Sequence, residues 1–123
     1  MNVTVRVAIV EDNDVFREAL EILLGLTPDL NIVASVPTGR EALDACPSAD
    51  PDVVLVDYRL PDLDGVETTR AILAACPGAV VVALTAAADP PEIDALLAAG
   101  AVACLTKDRG LEEIVAAIRD AAR

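Results

Sequence analysis

At 123 residues, 54% of them apolar, the chain matches one domain of ordinary size able to bury a continuous core, not a disordered tail. A formal charge of −12 argues against nucleic-acid binding, which draws on clustered Lys and Arg, and most of that acidity reads as solubility. Histidine is absent, which removes any imidazole base, phosphohistidine carrier or imidazole metal site, and the only aromatics, Phe16 and Tyr58, leave little for stacking on bases or sugars.

The elements alternate with a regular beat. The stretch "MNVTVRVAIV" opens the chain as a strand over 5–10, with no basic segment ahead of an apolar one as a secretory leader would have. Residues 14–24 have helical spacing, with Val15, Leu20, Leu23 and Leu24 on one stripe and Gly25 and Pro28 ending it. A second strand at 31–36 leads to a short helix at 38–45. The run "DVVLVD" (52–57) is a third strand, followed by a turn through Pro61 and Gly65 and a helix at 66–75 stopped by Pro77-Gly78. A fourth strand at 79–84 precedes a helix with Asp89 as N-cap, Pro90 at its first position and Gly100 at its end. A fifth strand at 101–105 and a helix at 111–122, with Leu111, Ile114, Val115 and Ile118 on one face, complete the chain.

Near-continuous apolar strands alternating with helices indicate a parallel sheet covered on both faces. Five such units with short right-handed crossovers predict a doubly wound α/β sandwich. The run "AVVVALTAAA" is about ten residues, against the roughly 20 that a membrane-spanning helix needs. Cys46, Cys76 and Cys104 lack the spacing of a zinc ribbon or a redox motif and read as reduced core hydrophobes in a cytoplasmic protein.

In such sheets ligands bind beyond the carboxyl ends of the strands, so the residues that follow each strand matter most. Glu11 and Asp12 follow the first, Asp57 ends the third, Thr85 follows the fourth, and Thr106 and Lys107 follow the fifth. With strands in the order 2-1-3-4-5, the first and third are neighbours, and the three carboxylates fall in one cluster. Two like charges about 4 Å apart at an effective dielectric near 20 cost on the order of 4 kcal/mol, so compensation is required. Lys107, the chain's single lysine, is one source; a hard divalent cation is the other, and Mg²⁺ suits one or two carboxylates plus a phosphate. A carboxylate nucleophile, a cation, a hydroxyl and a lysine are the parts needed for phosphoryl transfer to Asp57. Taken singly, each has a plainer reading: Glu11 and Asp12 as acids at a helix start, "PDLDG" as a turn, Lys107 as a surface lysine. Together they would be five coincidences at one sheet edge.

These motifs, "VEDND", "VDYRLPDLDG", "ALTA" and "GAVACLTKD", resemble the receiver domain of two-component response regulators over essentially the whole chain. "PDLNIVASVPTGREAL" and the "KD" after the fifth strand are similar to the NarL/FixJ (LuxR-type) subfamily. The 2-1-3-4-5 order belongs to this flavodoxin-like superfamily and is carried by the resemblance. The resemblance implies that Asp57 is the phosphoacceptor for a sensor histidine kinase. It implies Mg²⁺ held by Asp12, Asp57 and the backbone carbonyl of Arg59, with Glu11 reaching it through water. Lys107 would pair with the phosphoryl group and Thr85 would move in to hydrogen-bond it. Arg59 and Ala87 occupy positions that tune the phosphoryl lifetime. The output would be a changed surface on the last two helices or a changed homodimer, formed through the first and fifth helices, controlling transcription through a DNA-binding domain outside residues 1–123. The receiver itself would bind neither nucleic acid nor membrane and would not be an enzyme beyond assisting its own phosphorylation and dephosphorylation.

One position departs from the family pattern. Where an aromatic residue usually swings inward as the threonine moves, this chain has Cys104. That favours, as an alternative, a docking module independent of phosphorylation. A haloacid-dehalogenase-like phosphatase would need a second acid two residues after the nucleophile, where Arg59 stands, and a Toprim-like nuclease would use the Asp62–Asp64 pair.

Overall fold

The computed structural model describes residues 4–86 and 89–123; Ala87 lies outside them. Five parallel strands, β1 (Val5–Val10), β2 (Leu30–Val36), β3 (Val53–Asp57), β4 (Val80–Thr85) and β5 (Ala103–Thr106), form one sheet in the order β2-β1-β3-β4-β5. Helices α1 (Asp14–Gly25), α2 (Gly39–Ala49), α3 (Gly65–Ala75), α4 (Pro90–Ala99) and α5 (Leu111–Ala121) alternate with them. Strands covered on both faces must be apolar on both, and every residue of β3 is buried. One core joins Val7, Ile9, Leu55, Val82 and Leu84 to Leu20 and Leu24 of α1 and Ile114 and Ile118 of α5. The other joins Val54, Val56, Val81 and Ala83 to Ala42 of α2, Ile72 of α3 and Leu96 of α4.

The structure differs from the sequence reading in three local respects. Val15 is 79% exposed, not on the inner stripe of α1. Asn13 caps the helix, its Oδ1 accepting from the Phe16 N–H at 2.9 Å, and that phase turns Phe16 inward with Leu20 and Leu24. Helix α2 continues to Ala49 through Pro47, well past residue 45. The guanidinium of Arg6 in β1 donates to the backbone carbonyls of Ala49 and Asp50, and so satisfies the end of that longer helix. The last strand starts at Ala103 because Ala101 first closes α4, its N–H donating to the Leu96 carbonyl at 3.1 Å, behind Gly100 at φ +117°. At its other end the strand takes in Thr106, so Lys107 follows β5 directly.

The turn after β3 is tied down on both sides. Arg59 and Asp64 form an antiparallel bridge, and the Gly65 N–H donates to the Tyr58 carbonyl at 2.7 Å. A Cβ at Gly65 would lie 2.7 Å from Tyr58 Cα and 2.9 Å from its carbonyl oxygen, so this close approach admits glycine alone. A methyl added at Gly25, at the end of α1, would meet nothing within 4 Å. We expect Gly65→Ala to lower unfolding free energy by about 2 kcal/mol in urea titration, and Gly25→Ala to leave it unchanged or raise it by up to about 1 kcal/mol. Equal effects at the two positions would contradict this account of the turn.

Candidate functional site

The sheet order makes β1 and β3 neighbours, with Val10 paired to Val56, and so brings Glu11, Asp12 and Asp57 together. One carboxylate oxygen from each lies within 4.8 Å of the others. Glu11 is 1% exposed and Asp57 4%, whereas Asp12 faces solvent. The two inner acids are thus deprived of most hydration, which is costly for ionised groups unless partners replace it.

Those partners are few. Asp57 Oδ1 accepts from the Arg59 N–H at 3.2 Å, and Oδ2 from Lys107 Nζ at 3.2 Å. Glu11 Oε2 accepts from the Asn13 N–H at 3.0 Å. Glu11 Oε1 lies 2.5 Å from Lys107 Nζ, an ion pair without the alignment of a hydrogen bond, so that buried oxygen lacks a directed donor. Burial, then the closeness and like charge of Glu11, push the Asp57 carboxyl up to about 7, against the opposing pull of Lys107. Burial alone would lower the Lys107 ammonium, but Glu11 and Asp57 outweigh it and hold the group above its ordinary value. A single ammonium shared by these acids leaves net negative charge in a largely dry site.

The other strand ends converge on the same place. Thr85 is buried at the end of β4, one residue beyond the Asp57–Leu84 pair, and its carbonyl accepts from the Lys107 N–H at 2.8 Å. The Tyr58 N–H donates to the Leu84 carbonyl at 2.8 Å, so the loops after β3, β4 and β5 are laced together by their main chains. Arg59 turns its exposed side chain toward α4, with Nη2 3.8 Å from Glu92. Cys104, opposite Ala83 in the β4–β5 pair, packs against the core beneath α4; burial first, then Glu92, raises its thiol.

The plainer reading of "PDLDG" as a turn holds, whereas Glu11 and Asp12 do not serve the first turn of α1. The first turn of α1 takes Asn13 as its cap and Asp14 as its acid, leaving Glu11 and Asp12 ahead of the helix. Asp62 accepts from the N–H groups of Gly39 and Arg40 at 3.0 and 2.9 Å, binding the start of α2, and Asp64 caps α3 through the Glu67 N–H at 2.8 Å. Among the described residues, the acids close enough to share a metal are Glu11, Asp12 and Asp57. The sequence reading misses Phe16, whose ring centroid is 4.8 Å from Lys107 Nζ, and the capping role of Asp62. A lone aromatic four residues after Asp12 carries no local signal of a partner 91 residues away.

A family model for the response regulator receiver domain matches residues 7–119, and the chain belongs to that family. GacA of Pseudomonas viridiflava, a response regulator, is 38% identical over 115 residues, covering 94% of this chain and 54% of that protein. The DNA-binding transcriptional activator DevR/DosR of Mycobacterium tuberculosis is 38% identical over 117 residues, with the same coverage of each. The signal receiver domain of a response regulator NarL from M. tuberculosis superposes with a TM-score of 0.92 at 33% identity, covering 98% of this chain and 97% of that one. The chain is thus a receiver of two-component signal transduction of the NarL/FixJ type, spanning about half the length (54%) of these curated relatives.

A raised carboxyl pKa means that the folded state holds this proton more tightly than the unfolded one. Stability of the metal-free protein should therefore fall as pH rises from 3.8 through about 7. Asp57→Asn abolishes that loss. At pH 8 without divalent cations it is expected to be more stable than the parent by about 1–2 kcal/mol, a Tm gain of about 3–10 °C, with the gap closing near pH 4. A variant less stable than the parent at pH 8 would show that Lys107 already balances the site.

Proposed function

We propose that Asp57 accepts a phosphoryl group from a sensor histidine kinase and that Thr85 and Lys107 read its arrival. The observation that carries this is the burial of Asp57 at the end of β3, beside Glu11 and with Lys107 Nζ at 3.2 Å. Transfer breaks the donor's P–N bond and forms a P–O bond to an Asp57 carboxylate oxygen, while the leaving imidazole takes its proton from solvent. The ammonium of Lys107 pairs with the charge added to the phosphoryl oxygens, and the Thr85 hydroxyl donates to one of them.

The residues fit a hard cation. Three carboxylates lie within 4.8 Å, one buried oxygen lacks a directed donor, and burial with like charge raises Asp57. Asp12, Asp57 and the Arg59 carbonyl would hold Mg²⁺ directly, with Glu11 through water. The cation supplies charge neutralisation for an incoming phosphoryl group. Arg59 stands where a haloacid-dehalogenase-like phosphatase needs a second acid, which favours a phosphoacceptor that assists its own phosphorylation and dephosphorylation.

The switch would differ from the aromatic one. Cys104 is too small to swing as a ring does, but the Thr85 carbonyl holds the Lys107 N–H, and Arg59 reaches Glu92. Movement at Asp57 would thus pass to the β5–α5 loop and to α4. A reading in which the domain docks a partner without phosphorylation is favoured by Cys104 alone. Residues 1–123 would act as one receiver unit controlling transcription in the cytoplasm, as the regulatory names of the relatives, the free thiols and the lack of a long apolar helix among the described residues suggest. A homodimer would use α1 and α5, where Ile22 and Leu26 are exposed beside a groove lined by Leu23, Leu111 and Val115.

Incubation with phosphoramidate and Mg²⁺, followed by intact mass, tests this directly. A gain of one phosphoryl group that requires Mg²⁺ and vanishes in Asp57→Asn is expected. A gain that survives the substitution assigns the nucleophile elsewhere, and no gain in the parent leaves the docking reading. Light scattering on the same samples checks for phosphorylation-dependent dimers.

A further inference from the structure

Among the described residues Lys107 has two anionic partners, Glu11 at 2.5 Å and Asp57 at 3.2 Å, and both belong to the cluster that would draw in a cation. Any cation there competes with the ammonium for the same oxygens. A lysine held by carboxylates alone would then be free to leave for solvent, since its side chain is 21% exposed and its stem is flexible. Its third partner is of a different kind. The ring of Phe16, the chain's single phenylalanine, lies under Nζ at 4.8 Å from the centroid. The ring face attracts an ammonium through its quadrupole, carries no charge and offers no oxygen to a metal.

The ring is also firmly placed. Its backbone N–H is fixed by the Asn13 cap, and its side chain packs against the core that includes Leu20 and Leu24. We propose that Phe16 is a positioning residue for Lys107, a neutral platform that keeps the ammonium over the site while the carboxylates are engaged elsewhere. The proposal rests on Asp57 being the phosphoacceptor insofar as Lys107 is being kept for the phosphoryl group. The ring–ammonium contact stands apart from that reading.

Because Lys107 is the only lysine, protein labelled selectively with ¹³C,¹⁵N-lysine gives one set of side-chain NMR signals. In the parent, with and without Mg²⁺, the ε-methylene protons should be displaced upfield by the Phe16 ring. Phe16→Tyr should keep that displacement and Phe16→Leu should lose it. The Mg²⁺-dependent rate of phosphorylation by phosphoramidate should fall about three- to tenfold in Phe16→Leu and stay within about twofold of the parent in Phe16→Tyr. A folded Phe16→Leu protein that reacts at the parent rate overturns the positioning role. An unshifted lysine signal in the parent overturns the contact itself, and this result stands even if the leucine variant does not fold. A parent that shows the displacement but takes up no phosphoryl group refutes the phosphoacceptor reading and leaves the ring–lysine contact supported.

Discussion

Two buried carboxylates sharing one ammonium are the constraint on which the rest of this structure depends. Glu11 and Asp57 are almost wholly removed from water, and Lys107 Nζ reaches both. Burying ions is favourable only when partners replace the lost hydration, and here the replacement is incomplete. Glu11 Oε1 has an ion pair but no aligned donor, and the Asp57 carboxyl is pushed up to about 7. A fold selected only for stability would avoid such a cluster. Its place at the carboxyl ends of adjacent strands fits a site that a cation and a phosphoryl group would complete.

The scaffold holds that strain with rigid parts. A fully buried β3 presents Asp57 at its end, and the close contact of Gly65 with Tyr58 fixes the loop beyond it. Main-chain hydrogen bonds from Tyr58 to Leu84 and from Lys107 to Thr85 join three strand ends into one unit. A change of charge at Asp57 would therefore act on residues already linked, without a pivoting ring at position 104. The bidentate pair between Arg119 and Asp29, at 2.8 Å in both contacts, ties α5 to the start of β2 on the side away from the site.

How much of this can be read in the sequence depends on the range of each interaction. Strand runs such as "VVLV", the start of α4 at Pro90 and its stop at Gly100 are local, and their elements appear within a few residues of where the pattern places them. The strand order comes from family resemblance, since apolar runs do not say which strands pair. The end of α2 escapes the sequence because the group that satisfies it is Arg6, more than 40 residues earlier. Val15 looks inward-facing because apolar spacing alone does not fix helix phase; the Asn13 cap does. The acids, Thr85 and Lys107 are legible because they stand at strand ends. Phe16 is not, because a ring beneath an ammonium is a tertiary contact with no local pattern.

The site carries negative charge that one hard cation would balance. Isothermal titration of the metal-free protein with Mg²⁺ at physiological ionic strength measures that balance. Saturable binding of one ion per chain is expected, weakened by at least about tenfold in Asp57→Asn, since a lost charged ligand is worth well over the 1.4 kcal/mol of one decade. Absence of binding at millimolar Mg²⁺, or equal binding by the variant, would contradict it.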